Sequence, residues 1–203
     1  MTAEYQPSLL SGADLRAAEV SWAYNQTPQQ SPFTPAELQG WKQRIHTFQT
    51  TVSVAQPPTQ GSLFDPAPAA SPVDAMAPLG RSLTIAPFDL PQRNAEFWRE
   101  QFSDAGNAAL YFVVDHEIPL LLYVGETIKA NQRWKGTHDC KRYILNYVAI
   151  HRQHDLPVQV NIGFWPHAPE DRQARQALES ALIYKWRSPF NKENWRFWGT
   201  PFV

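Results

Sequence analysis

Ala109-Leu110-Tyr111-Phe112-Val113-Val114, the polar break Asp115-His116-Glu117, and then Leu120-Leu121-Leu122-Tyr123-Val124-Gly125 form the stretch that decides the fold. Two short apolar runs rich in valine, leucine and aromatics, split by a turn, predict a hairpin with strands at 109–114 and 120–124. Working outward, Ile128 to Lys135 and Lys141 to His151 read as helices, with Gly136 breaking between them. Val158 to Trp165 alternates as a third strand, and Glu170 to Trp186 is a long helix with an apolar stripe at Ala174, Leu178, Ala181 and Leu182. An aromatic coil runs on to Val203. The order β-β-α-α-β-α predicts an α+β domain over 92–203, with a three-stranded sheet flanked by helices.

The chain before this domain is discontinuous. Ala13 to Tyr24 reads as a helix with Leu15, Ala18 and Trp22 on one face. Thr34-Pro35-Ala36-Glu37 is a strong helix start: Thr34 caps, Pro35 suits the first position, and Glu37 closes a capping box. Leu38, Trp41, Ile45 and Phe48 would form that helix's apolar face. Residues 1–54 are therefore read as an N-terminal helical segment. Residues 55–91 hold eight prolines among Ala, Ser, Gly and Gln. Too little there can be buried to offset chain entropy, so the segment reads as a mostly disordered linker. A short helix, Ala95 to Phe102, leads into the domain.

Bulk properties narrow the function classes. One cysteine, Cys140, in 203 residues rules out an intramolecular disulfide framework. With no long apolar run and no signal pattern, the expectation is a soluble cytoplasmic protein without a membrane partner. Net charge divides unevenly: residues 1–107 carry −4 and residues 108–203 carry +3, which is compatible with phosphate contacts. Zinc spacing, a Walker loop, a Gly-x-Ser-x-Gly elbow and a dinucleotide fingerprint are all missing from the sequence.

The C-terminal domain resembles the GIY-YIG nuclease family. Ala109-Leu110-Tyr111 stands in place of Gly-Ile-Tyr, and Tyr123-Val124-Gly125 in place of Tyr-Ile-Gly. Thr127 follows two residues later, Arg133 follows Tyr123 by ten, and Leu178-Glu179-Ser180-Ala181 matches the metal-binding glutamate helix. Pro189-Phe190-Asn191 resembles the closing Pro-x-Asn, twelve residues beyond the glutamate. The resemblance spans Ala108 to Trp198. It departs in Ala109-Leu110, which adds bulk to the first motif, and in His138, which lies one residue beyond the place some relatives give a helper histidine.

The resemblance implies a DNA endonuclease using one Mg²⁺ or Mn²⁺ ion, acting in repair or recombination. Tyr111 would receive a proton from attacking water, Tyr123 would position that water, and His138 would assist. Arg133 would steady the phosphate, Glu179 would hold the metal, and Asn191 would close the site. These side chains are expected to converge on one concave surface. The residues themselves are compatible with these roles. A guanidinium fork holds phosphate through paired hydrogen bonds, and a carboxylate at the margin of an apolar stripe needs a positive partner. Read singly, each has a plainer alternative. The tyrosines suit a strand core, Arg133 a solvated helix face, Asn191 a turn, and Glu179 an ion pair with Arg175 or Arg133. A catalytically weak DNA-binding or interaction module on the same fold is the competing reading, and a restriction or homing enzyme a third.

Within the Pro-rich segment, Gln60-Gly61-Ser62-Leu63-Phe64 resembles the short bacterial peptide that docks on the DNA polymerase sliding clamp. Gln60, Ser62, Leu63 and Phe64 would be its contacts, the last two seated in an apolar pocket.

Overall fold

A computed structural model describes residues 33–55, 78–94, 108–128, 139–199 and 201–202. The described elements are α1 (Pro35–Gln49), α2 (Pro78–Thr84), β1 (Gln92–Asn94), β2 (Ala109–Asp115), β3 (Leu120–Thr127), α3 (Asp139–Gln153), β4 (Val160–Trp165), α4 (Arg172–Trp186) and α5 (Trp195–Trp198). Single 3₁₀ turns at Pro87–Asp89 and Lys192–Asn194 complete them. The helices expected at Ala13–Tyr24, Ala95–Phe102 and Ile128–Lys135 lie wholly or almost wholly outside the described residues.

The sheet is antiparallel throughout, with strand order β1-β4-β2-β3. It therefore has four strands where the sequence predicted three. Gln92-Arg93-Asn94 lacks every strand signature, yet it pairs with Asn161–Gly163 along the outer side of β4. Backbone groups at a sheet edge need partners whatever the side chains are, and that demand is invisible to residue patterning.

Both faces of the sheet are covered, which explains why β2 is apolar without alternation. One face carries Tyr111, Val113, Leu120 and Leu122 against α1 and α3, which contribute Leu38, Trp41, Ile45, Tyr143 and Tyr147. The other carries Leu110, Phe112, Val114 and Leu121 against Leu178, Leu182 and Trp186 of α4.

Helix α1 begins as its sequence predicts. The Glu37 carboxylate accepts from the Thr34 amide at 2.8 Å, while Thr34 Oγ1 accepts from the Glu37 amide. Its placement corrects the division at residue 54, because Phe33 to Val203 clusters as one unit and α1 packs on the sheet. Three of its four predicted face residues, Leu38, Trp41 and Ile45, are at most 1% exposed. Proline counting also misjudged the end of the Pro-rich segment. Helix α2 and the turn at Pro87–Asp89 are ordered there, with Ile85 buried beside α4. Pro87 occupies the first position of its 3₁₀ turn, where the missing amide costs nothing.

The aromatic tail is a lid. Phe202 packs edge-on against Trp41 and Tyr147, and the Trp41 indole donates to the Trp198 carbonyl at 2.9 Å. No helix among the described residues is long and apolar enough to cross a membrane.

Candidate active site

The hairpin is irregular where the chemistry is expected. Its register is Tyr111 opposite Gly125 and Val113 opposite Tyr123, then slips so that Val114 faces Leu121. Leu122 is the extra residue of a β-bulge. Without that bulge, unbroken pairing from Asp115–Leu120 would set Tyr123 opposite Phe112, on the far face from Tyr111. Two consecutive residues of a bulged strand share a side, so Leu122 and Tyr123 both turn toward the face of Tyr111. The two tyrosines are thus diagonal neighbours, with ring centroids 5.8 Å apart and planes 27° apart.

Gly125 is required by this arrangement. A Cβ built there falls inside the Tyr111 ring, so any side chain would displace the phenol. Exposure separates the two tyrosines. Tyr111 is fully buried, while Tyr123 is half-buried.

Asn191 holds the same strand from outside. Its side-chain amide accepts from the Val124 amide at 3.0 Å and donates to the Val124 carbonyl at 2.9 Å. Ser188 Oγ donates to the same Oδ1 at 2.6 Å, and the Phe190 amide donates to the Leu122 carbonyl. Gln49 repeats the device lower on β3, pairing with both the amide and the carbonyl of Leu121 at 2.8 and 2.9 Å. Two side-chain amides therefore take the place of a fifth strand along an edge that would otherwise present bare backbone. Asn191 was expected near the tyrosines; Gln49 had no local signal, since its partner lies 72 residues away.

Helix α4 starts at Asp171, whose carboxylate accepts from the Ala174 amide, and ends at Arg187 in the left-handed region with φ 46°. Among the strands it lies nearest β3. Its two ends are tied there. Arg175 Nε donates to Glu126 at 2.5 Å, and Gln49 Nε2 bridges the carbonyls of Trp186 and Leu121. Between these ties the helix rises about 16 Å and the strand about 17 Å, so the two run side by side in opposite directions. Glu179, one turn beyond Arg175, therefore comes level with Val124.

Helix α4 packs on the sheet face opposite Tyr111, and the convergence on one concave surface expected of these side chains also involves Arg133, which lies outside the described residues. Leu178 and Leu182 rest on the face of Leu110 and Phe112, whereas Tyr111 belongs to the other. Glu179 itself is half-buried. Its suggested partner Arg175 is committed elsewhere: besides Glu126, its Nη1 donates to the carbonyls of Pro169 and Glu170, both at 2.9 Å. Arg133, His138 and the peptide Gln60–Phe64 lie outside the described residues. Among the described residues no three His, Cys, Asp or Glu side chains gather around a common point. A metal held by Glu179, water and phosphate would need only the one carboxylate.

A second polar cluster sits under the opposite end of the hairpin. Lys42 Nζ lies 2.9 Å from Asp115 Oδ2 and 3.2 Å from His151 Nε2, and the Tyr147 hydroxyl donates to Asp115 at 2.6 Å. Asp115 Oδ1 accepts from the amides of Glu117 and Gln159, which shapes the hairpin turn. Burial raises the Asp115 pKa, but the Tyr147 hydroxyl, Lys42 and the Gln159 amide outweigh it and hold the carboxyl below its ordinary value. Burial and the Asp115 charge push the Tyr147 phenol well up, and burial lowers the His151 imidazole. His151 Nδ1 is 2.7 Å from the Tyr147 carbonyl, which fixes Nδ1 as the donor and leaves Nε2 to accept from Lys42. All four side chains are at most 4% exposed, so the cluster is structural.

No protein-family model, curated protein or solved structure matches this chain.

Proposed function

We propose that the chain is a metal-dependent DNA endonuclease of the GIY-YIG type, hydrolysing phosphodiester bonds in repair or recombination. The observation that carries this reading is the interlock of the motif residues. The bulge turns Tyr123 to Tyr111, Gly125 leaves room for the Tyr111 ring, and Asn191 clasps Val124 between them. Strand aromatics of no special purpose do not need a glycine opposite one ring and an asparagine clasp beside the other.

Exposure favours a division of labour between the phenols that differs from the one the resemblance implies. Tyr123 meets the attacking water, and Tyr111 stacks behind it and holds its ring. A free phenol has a pKa of about 10, so it takes a proton at neutral pH only when a neighbour biases it. Arg133 is assigned the phosphate and its growing charge, His138 assistance to the base, and Glu179 the Mg²⁺ or Mn²⁺ ion. The bound ion would supply charge stabilisation and lower the pKa of a coordinated water.

The competing reading is a DNA-binding or interaction module with little activity, and the complete burial of Tyr111 favours it. Purified protein incubated with nicked, flapped, branched and plain duplex DNA in Mg²⁺ or Mn²⁺ separates the two. Cleavage of at least one substrate, lost in chelator, supports the enzyme; binding without cleavage supports the module.

Gln60 to Phe64 is assigned to clamp docking on its sequence alone. Changing Leu63 and Phe64 together to alanine should remove binding to a bacterial sliding clamp while leaving cleavage of short DNA unchanged. Clamp binding that survives the change would end that assignment.

A further inference from the structure

We propose that Glu126 and Arg175 form a positioning pair that sets the height of Glu179 beside Tyr123–Gly125; this rests on the nuclease reading above.

The contacts of α4 with the sheet are mainly Leu178, Leu182, Ile183 and Trp186. Apolar burial is non-directional, so such a surface resists separation far more than sliding. Axial register must come from directional contacts, and the described residues offer them at the two ends. At the far end Gln49 joins Trp186 to Leu121. At the near end Arg175 joins Glu126, and its other donors hold the loop that enters the helix.

The near tie is the one that governs Glu179, which follows Arg175 by a single turn, about 6 Å along the axis. Glu126 follows Gly125 directly and pairs with Leu110, so it points to the face on which α4 lies. One peptide unit thus separates the residue that admits the Tyr111 ring from the residue that anchors the glutamate helix. Arg175 is 1% exposed and the Glu126 side chain 23%, so this ion pair is sheltered and geometrically defined. Neither residue touches the expected position of the reacting atoms; both would act through Glu179.

The test uses the full-length protein with Glu126→Ala, Glu126→Gln and Arg175→Lys. Mn²⁺ binding is read from the free-ion EPR signal, nicking from kcat and KM, and folding from thermal melts. Loss of a residue that orients a metal ligand typically costs about 10–100-fold in metal affinity or rate. Glu126→Ala should show that loss in Mn²⁺ affinity and kcat with KM for DNA unchanged. Glu126→Gln, which still accepts from Arg175, should recover much of it, and Arg175→Lys should fall between.

Wild-type Mn²⁺ affinity and kcat in a folded Glu126→Ala protein would overturn the proposal, as would a change in KM alone. If Glu126→Ala does not fold, Glu126→Gln and Arg175→Lys decide by the same criteria. A wild-type protein that neither cuts nor binds Mn²⁺ would instead defeat the nuclease reading. The positioning claim is then decided by a crystal structure of the folded variant. Helix 172–186 shifted along β3 supports it, and an unmoved helix overturns it.

Discussion

Replacing Lys42 with methionine leaves the aliphatic bulk of the side chain in place and removes one charge from a sealed cluster. Asp115 loses its cation at 2.9 Å but keeps the Tyr147 hydroxyl and the amides of Glu117 and Gln159. Breaking a buried ion pair from one side costs about 3–5 kcal/mol, and three surviving donors place this case near the lower end. His151 also loses the donor to its Nε2, worth about 1 kcal/mol. The expected loss is about 3–4 kcal/mol, a large share of the roughly 5–15 kcal/mol by which domains are usually stable. Urea unfolding at pH 7.5, followed by tryptophan fluorescence, measures it. The double variant Lys42→Met with Asp115→Asn should cost less than the two single changes together, by about 2 kcal/mol of coupling. A loss below about 1 kcal/mol, or strict additivity, would refute the structural role given to this cluster.

Three further outcomes follow from the same geometry. His151 titrates below its ordinary 6.5 because burial disfavours the cation, so the unfolded chain binds its proton first. Stability should therefore be complete above about pH 6.5 and decline as pH falls below it, with a second decline below about 3.8 from Asp115. His151→Gln should flatten the upper step in pH-dependent unfolding. Gly125→Ala drives a methyl group into the Tyr111 ring and should cost about 1–3 kcal/mol in a thermal melt, with nicking reduced more than stability accounts for. A fragment of residues 92–203 should fail to give a cooperative transition, because it lacks Trp41, Lys42 and Gln49 and so exposes the β3 edge and leaves Asp115 without its cation. A sharp melt from that fragment would show that α1 is dispensable.

Much of the frame was legible in the chain because it rests on local rules. The Thr34–Glu37 box, the apolar runs of β2 and β3, and the periodic stripes of α3 and α4 each announce an element within a few residues. What escaped depends on partners far along the chain. The edge strand Gln92–Asn94 is polar and is recruited by β4, some 70 residues later. The bulge that brings Tyr123 onto the face of Tyr111 leaves no trace in a run of three leucines. The Lys42, Asp115, Tyr147 and His151 cluster joins three elements whose residues are individually unremarkable. For the proposed site, the sequence motif singled out the tyrosines, Asn191 and Glu179 as candidates. It did not indicate that the glutamate helix packs on the opposite face, or that Arg175 serves Glu126.

The central claim is tested most directly by nicking of supercoiled plasmid and branched DNA, with wild-type and Glu179→Ala proteins compared at equal folded concentration. Glu179 is half-buried at the margin of its helix's apolar stripe, so its truncation should leave the melting temperature nearly unchanged. The account predicts cutting by the wild-type protein in Mg²⁺ or Mn²⁺, none in chelator, and a loss of at least about 100-fold in the variant, on the scale of removing one electrostatic contributor to a phosphoryl transition state. Full activity in a folded Glu179→Ala protein would contradict it.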